Sequence, residues 1–499
     1  MSDELMELPE GWATSPISES CLVMSGQTPK GIEDIALEDE EIPWFRVGSM
    51  NEPGNEEFLE KTNIRLSREA TKKLGLHIYP ADTIVFPKRG GAIATNKKRI
   101  LAQPSAYDLN LMGILPIGLE NRFVWHWFQT IDLKQLSDGS NVPQINHGDI
   151  EPLIIPVPPL KEQRRIVAKI EELRERSQKA RSHLSAIPNL CNKFRQSVLA
   201  AAFRGDLTAD WREQNPDVEP AQVLLERIGK ELGQNLADVQ TEIDRTDDEI
   251  PSTWAWAKLK LMIKKIQPGN NFLCPEVPVT ETTVGLVKIS AVTWGTFNPK
   301  ETKTVADPSK VDPNLFIQPG DLLVTRANTL ELVGASVVVD EIHYKIMLSD
   351  KVWRVDILEV DKKYINFYLR SKDGRKEIES RATGNQLSMR NISQNAFRDV
   401  VIAIPPIEEQ KEIGRQIESC FNSINQSKQA YQETKDYLNQ LDRSILAKAF
   451  RGELVEQDPN DEPASILLER IRAEREQQTQ GKAKKPGKKG QRTIKTDPP

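Results

Sequence analysis

One segment of this chain occurs twice, and at a fixed length. The first copy runs from Pro158-Pro-Leu-Lys-Glu-Gln163 to Phe203-Arg-Gly-Asp-Leu207, the second from Pro405-Pro-Ile-Glu-Glu-Gln410 to Phe450-Arg-Gly-Glu-Leu454. Both ends are displaced by 247 positions (158 to 405, 203 to 450), so the copies are equally long although their surfaces have diverged. A segment that keeps its length while its surface drifts reads as a rigid rod. Ile166, Ile170, Leu173, Leu184 and Phe194 in the first copy lie on a ladder of alternating steps of four and three that also passes through Ser177, Ala180, Ile187 and Cys191. Ile413, Ile417, Ile424, Leu438, Leu441 and Ile445 do so in the second, with Cys420, Ser427, Tyr431 and Thr434. That is a heptad seam, too narrow to be buried alone. Two copies in one chain can bury each other, so the expectation is an antiparallel coiled coil. Leu160 to Phe203 is 44 residues, about 66 Å of continuous helix. Pro188 removes a helical hydrogen bond. Lys435 stands at its place in the second copy, so a bend is expected in the first helix only.

The repeat extends beyond the rods. Leu8-Pro-Glu-Gly-Trp12 answers to Ile250-Pro-Ser-Thr-Trp254, and Tyr79-Pro-Ala-Asp-Thr-Ile-Val-Phe86 to Gln318-Pro-Gly-Asp-Leu-Leu-Val-Thr325. The latter pair reads as a turn entering a buried strand. Gly139-Ser-Asn-Val-Pro-Gln-Ile-Asn146 answers to Gly384-Asn-Gln-Leu-Ser-Met-Arg-Asn391, each followed by an apolar strand, 153–157 or 400–404. Glu219-Pro-Ala and Glu462-Pro-Ala each open a short helix. The order is globular, rod, globular, rod: 1–157, 158–249 with its acidic linker, 250–404, 405–475, then a basic tail, 476–499, expected to be disordered. Short strands, many turns and a few helices make the globular parts α+β, arranged as a pseudo-twofold internal repeat. Trp125 and Trp127, like Trp254 and Trp256, alternate as on strands and read as core packing.

Chemistry is sparse. No Gly-x4-Gly-Lys-Ser/Thr loop and no Asn-Pro-Pro-Tyr run occurs, and the five histidines are scattered. Asp361-Lys-Lys363 lacks an upstream acidic partner and reads as a solvated turn. The four cysteines form no CxxC pair and read as reduced thiols. No apolar run approaches the ~20 residues of a membrane span, and Met1-Ser-Asp-Glu-Leu lacks a secretory pattern. A cytoplasmic chain without a metal or catalytic site of its own is expected. A net charge of −6 argues against wrapping nucleic acid over the whole surface but leaves local basic patches open.

Two dissimilar globular domains, each followed by a helix ending Ala-Phe-Arg-Gly-Asp/Glu-Leu, resemble the specificity subunit of type I restriction–modification systems. The resemblance covers nearly the whole chain. It rests on Ser444-Ile-Leu-Ala-Lys-Ala-Phe-Arg-Gly-Glu453 with Leu467-Leu-Glu-Arg470, on Gly320-Asp-Leu-Leu-Val-Thr-Arg326, and on both Pro-Pro-x-x-Glu-Gln starts. It implies two target recognition domains on double-stranded DNA, reading a split, asymmetric site. It implies two methyltransferase subunits and ATP-driven restriction/translocase subunits as partners. S-adenosylmethionine, ATP and Mg²⁺ would belong to those partners, with no cofactor in this chain. An orphan or methylation-only specificity subunit, or a coiled-coil scaffold without DNA specificity, stays open.

Candidate DNA contacts follow from residue chemistry. Lys88-Arg-Gly-Gly91 and Lys97-Lys98-Arg99 flank a short segment after the strand ending at Phe86. A Gly-rich loop beside cations lets backbone approach phosphate, while Arg89 can read guanine; the bland reading is a solvated turn. In the second domain Arg326 suits guanine and Asn328 adenine, against a salt-bridge role. Lys351 and Arg354 are phosphate candidates. Asn141 and Gln144, and Gln386 and Arg390, lie in the paired Gly-containing loops, which can instead cap the strand before each rod.

Overall fold

The structure, a computed structural model, describes residues 8–32, 40–237, 250–293, 295–386 and 389–483. The chain forms two compact units, 1–184 with 433–499 and 185–432. The helices used below are α1 (Asn121–Gln129), α2 (Leu160–Leu184), α3 (Ile187–Arg204), α4 (Ala221–Glu231), α5 (Lys362–Arg370), α6 (Ile407–Ala449) and α7 (Ala464–Ala483). The architecture is mixed helix and sheet with long helices, α+β as expected. None of the described helices is long and apolar enough to cross a membrane.

In the first unit β1 (Ala13–Pro16) pairs antiparallel with β10 (Ile154–Val157), Ala13 opposite Val157. A five-stranded sheet has β2 (Cys21–Ser25), β9 (Leu111–Pro116), β6 (Ile84–Pro87), β7 (Arg99–Leu101) and β4 (Phe58–Leu59) side by side. Beside it β3 (Ile42–Phe45) lies between β5 (Arg65–Leu66) and β8 (Ala106–Tyr107), parallel to the latter.

The same connectivity recurs in the second unit. There β11 (Ala255–Lys258) pairs antiparallel with β22 (Val401–Ile404). The larger sheet runs β12 (Ile263–Gln267), β19 (Val352–Ile357), β15 (Leu322–Thr325), β17 (Ser336–Val338). A small sheet sets β13 (Val284–Val287) between β14 (Thr302–Thr304) and β18 (Lys345–Met347), again parallel to the latter. A third sheet joins β16 (Ala327–Asn328), β21 (Met389–Asn391) and β20 (Thr383–Gln386). The strands expected after Tyr79-Pro and Gln318-Pro are β6 and β15, buried at every position.

The repeated motifs earn their residues at the joint between helix and domain. Trp12 Nε1 donates to Glu162 Oε1 at 3.1 Å, and Trp254 Nε1 to Glu409 Oε2 at 2.9 Å. Gln163 Nε2 donates to the Pro158 carbonyl (2.9 Å), while its Oε1 accepts from Glu120 N, the residue before α1 (2.9 Å). Gln410 does the same with Pro405 (2.8 Å) and Asp361 N, the residue before α5 (2.9 Å). Each Gln thus ties the start of a long helix to the start of a domain helix. The Phe of Ala-Phe-Arg-Gly closes the other end edge-on against a ring: Phe450 on Phe123 and Phe203 on Tyr364, both at 5.3 Å. Such pairs are worth about 0.5–1.5 kcal/mol beyond their burial. The glycine that follows takes a left-handed φ, +84° at Gly205 and +75° at Gly452. A Cβ there would strike Pro251 or Pro9.

Within the second unit α3 meets the first part of α6 in opposite directions: Asn192 faces Lys428 (3.2 Å) and Arg195 faces Asn425 (3.2 Å). Within the first, Arg181 of α2 holds Asn439 (2.9 Å) and Asp442 (2.7 Å) on the last part of α6. The bend expected at Pro188 is a full break. α2 stops at Leu184, and Pro188 sits in the first turn of α3, where its missing N–H is harmless; α6 is uninterrupted.

Of the seam, Ile166, Ile170, Ile413, Ile417, Ile424, Leu438 and Ile445 are buried, and Leu173 and Leu184 half-buried. Phe194 and Leu441 depart from it, at 51 % and 36 % exposed. The break resets the phase of α3, whose buried face is Cys191, Val198, Leu199, Ala202 and Phe203. In unbroken α6, Leu441 alone lies at the rim between buried Leu438 and Ile445.

Three further expectations change. Trp125 and Trp127 lie on helix α1, not on a strand. All of Phe123–Phe128 is buried, and Asn121, Arg122, His126 and Gln129 gather on one side of the helix, a helical period that the two-residue spacing of the tryptophans masked. The short helix expected after Glu219-Pro-Ala is present as α4, whose Leu224, Leu225 and Ile228 belong to the second core; the end of the linker, 238–248, lies outside the described residues. The tail begins as helix, since α7 runs to Ala483 through good helix formers; the rest of it lies outside the described residues. Asp361 is a helix cap, accepting from Tyr364 N at 2.8 Å.

Candidate nucleic-acid interface

In the first unit the loop after β6 is held against the segment before β10. Gly90 N donates to the Pro143 carbonyl (2.8 Å) and Ile145 N to the Lys88 carbonyl (2.9 Å). Arg89 and Gln144 therefore face each other in an isolated antiparallel bridge. Asp138 shapes the second loop, its Oδ1 accepting from Ser140 N and Gln144 N, both at 3.1 Å. Asn141 is exposed at its tip and Arg89 is exposed beside it. Lys88 is tethered, its Nζ donating to Ser25 Oγ at 3.0 Å; burial, then the neighbouring Arg89, lowers its pKa.

The second basic run behaves differently. Lys98 is 1 % exposed. Its Nζ donates to Asn96 Oδ1 (2.9 Å) and the Ile131 carbonyl (2.7 Å), over the Phe128 ring. Burial pulls its pKa down to about 8. Arg99 donates to the carbonyls of Asn55, Lys98 and Met50, and burial lowers its pKa also. Both are structural and leave the list of DNA contacts. Strand β7 carries Arg99 into the sheet, and Asn96, in a left-handed turn, draws Lys98 inward. Lys97 holds Asn51.

In the second unit the equivalent loops form a continuous sheet. Asn328 of β16 pairs with Arg390 of β21. Arg326 N donates to the Lys351 carbonyl (2.8 Å) and Ile392 N to the Arg326 carbonyl (3.0 Å). Arg326, Asn328, Lys351 and Arg390 thus come together from three places in the sequence. Arg326 and Lys351 are exposed, and among the described residues neither side chain has an acidic partner. Asn328 Oδ1 accepts from Thr329 N (2.9 Å) and its Nδ2 reaches Thr293 Oγ1 (3.3 Å), which fixes the amide plane. Arg390 donates to the Gly384 carbonyl. Gln386 is placed as backbone at the end of β20, and its side chain lies outside the described residues.

Arg354 is corrected. It pairs with Asp321 (3.1 Å) and donates to the Phe316 and Asn314 carbonyls and to Gln267. Strand alternation turns it away from Lys351 and into a brace beneath the turn that enters β15. Residues the sequence did not single out complete the surface. A cleft of about 600 Å³ is lined by Asn328 and Lys351 together with Lys288, Lys303, Ser290 and Thr293. Lys288 and Lys303 share one acid, Glu276, at 2.9 and 2.5 Å. Nothing in their sequence spacing signals this, because the cleft is assembled by β13, β14 and the β18–β19 turn.

Each domain thus presents an exposed loop pair bearing cations and amides, a chemistry suited to phosphates and base edges. Comparison with known proteins shows what the chain is similar to. Residues 9–183 match the family described as type I restriction modification DNA specificity domain. The chain is 26 % identical over 492 residues to the EcoKI specificity subunit of Escherichia coli strain K12, covering 94 % of this chain and 96 % of that one. It is 23 % identical over 493 residues to the StySPI specificity subunit of Salmonella potsdam, with the same coverage. Among solved structures it resembles the HsdS subunit from Thermoanaerobacter tengcongensis (TM-score 0.54, 18 % identity, 91 % of this chain and 100 % of that one). It also resembles a chain solved in work on complex assembly and conformational transition of the type I R-M system (TM-score 0.59, 19 % identity, 90 % and 99 %). Residues 9–183 thus match the DNA specificity domain, and over most of its length the chain is similar to type I specificity subunits, as the sequence resemblance indicated.

Proposed function

We propose that this chain is the non-catalytic DNA-reading subunit of a type I restriction–modification complex. Each globular domain reads one half of a split site through its paired loops, Arg89 with Gln144 and Asn141 in the first, Arg326 with Asn328, Lys351 and Arg390 in the second. The long helices act as an antiparallel coiled-coil spacer that relates the domains by a pseudo-twofold and docks two methyltransferase subunits. Half-sites about one helical turn apart, ~34 Å, fall on one face of the duplex. Restriction subunits join that core in the cytoplasm. Adenine N6 methylation and ATP-dependent cleavage lie in the partners, with their S-adenosylmethionine, ATP and Mg²⁺.

One observation carries this reading. The same loop pairing occurs in both domains, yet the side chains it presents differ. A shared mount with different contacts is what an asymmetric, interrupted site requires. Methylome sequencing of cells expressing the chain with methyltransferase subunits tests it. A new split motif with unlike halves is expected; no motif, with the complex assembled, rejects the reading.

A further inference from the structure

Leu273 is 98 % exposed, more than any other large apolar side chain among the described residues. Its neighbours are not. Cys274 is buried and Phe272 packs on the same core cluster, so the loop is anchored on both sides and holds the leucine outward. The root of the loop is fixed too. Asn270 N donates to the Leu348 carbonyl (3.2 Å) and Asp350 N to the Asn270 carbonyl (3.0 Å). The next residue is Lys351, whose carbonyl positions Arg326.

The surroundings are cationic. Asn271 and Phe272 line the cleft that holds Asn328, Lys351, Lys288 and Lys303. Lys310 lies 5.4 Å from the centre of the Phe272 ring. The acids lining the cleft are Glu276, shared by two of its lysines, and Asp350; Arg326 and Lys351 have no acid partner among the described residues. An apolar side chain held out in water beside a cleft lined by three lysines fits a polyanion with an apolar interior. Duplex DNA has that construction: phosphates outside, base faces within. Leucine is among the side chains that enter between base steps.

We propose that Leu273 is an apolar wedge against the nucleobases of the half-site read by the second domain. This rests on the DNA-reading function above. The test uses the full chain assembled with methyltransferase subunits and a pool of random 40-bp duplexes, from which the bound sequence is selected. For the selected duplex, Leu273→Ala is expected to weaken binding about tenfold, the order expected for losing a few buried methylene equivalents. The slope of log affinity against log salt should not change, because an apolar contact releases no counterions. Lys351→Ala should instead lower that slope by about one. Scanning 2-aminopurine through the half-site should reveal an unstacked position in the wild-type complex that Leu273→Ala restacks. Unchanged affinity and stacking with Leu273→Ala overturn the wedge while leaving the DNA-reading function intact. Loss of subunit assembly in that variant makes Leu273 a protein contact and also overturns it. If the wild-type complex selects no sequence, the underlying function falls, and the wedge with it.

Discussion

The two globular domains are alike where they grip the long helices and unlike where their loops face outward. At the grip, Trp12–Glu162 and Trp254–Glu409 repeat the same buried contact, and Gln163 and Gln410 make the same pair of bonds. At the loops, Arg89 opposite Gln144 in one domain corresponds to Asn328 opposite Arg390 in the other. Duplication followed by drift has held the mount and released the contacts.

The grips also differ in how they balance charge. Glu409 is fully buried, accepting from Thr208 (2.7 Å), Trp254 and Arg212, which is its ion-pair partner. Glu162 accepts from Trp12, but the nearby Arg165 pairs with Asp461 at 2.8 Å. Burial raises the Glu162 pKa, against the hydrogen bond from Trp12. A raised carboxyl pKa means that the ionised form costs stability at neutral pH. Glu409→Ala strands Arg212 and should therefore destabilise the second unit by about 3–5 kcal/mol, the penalty of an unpaired buried ion. Glu162→Gln should cost the first unit about 1 kcal/mol or less, and its effect should shrink as pH rises through the glutamate range. Urea unfolding of the two variants compares them directly; equal losses would refute the difference between the grips.

At the loops, Arg326→Ala should lower discrimination at one base position about 10- to 100-fold while assembly survives. Arg89→Ala should do so in the other half-site. Binding competition between duplexes altered in one half at a time reads this, and a loss spread over both halves would break the assignment of one domain to one half.

His126 sharpens the comparison further. It is buried on α1 beside Arg174 and Arg122, with no counterpart at the corresponding turn of α5, where Phe367 stands. Burial first, then Arg174 and Arg122, depresses its pKa to about 3. The unfolded chain takes up a proton near pH 6.5 that the folded one refuses. Stability of the first unit should therefore fall as pH drops from about 6.5 toward 3, by at most about 1.4 kcal/mol per pH unit. His126→Phe should flatten that slope, measured by denaturant midpoints between pH 7.5 and 5. The smallest effect is expected from Lys98→Met, whose ammonium is turned inward. Affinity for DNA should stay within about twofold, as for a site remote from the ligand.

The motifs that make the grips were all visible in the sequence, because Trp, Glu, Gln, Phe and Gly each have one steric or bonding role there and cannot drift. Their partners were not, since Trp12 and Glu162 are 150 positions apart and only the fold joins them. The buried strands after the Tyr79-Pro and Gln318-Pro turns were legible, and with them the position of the loops that follow, but the inward or outward sense of each cation was not. Lys98 and Arg354 carry the same charge as Arg89 and Lys351. What separates them is strand alternation and a local turn at Asn96, set by register rather than by residue type. The helical state of Trp125 and Trp127 was hidden by their two-residue spacing, which suggests a strand, while only four polar residues, Asn121, Arg122, His126 and Gln129, mark the helical period.

Two equivalent hydrogen bonds, one in each unit, join a domain's first segment to the helix beside it. Ala221 N donates to the Thr253 carbonyl and Ala464 N to the Gly11 carbonyl, both at 2.9 Å. In the second unit those two segments are also tied covalently through the residues between them; in the first they meet only by contact. Severing the backbone somewhere between Glu231 and Ile250 would leave the second unit fastened as the first already is, and the two fragments should stay together after a nick there.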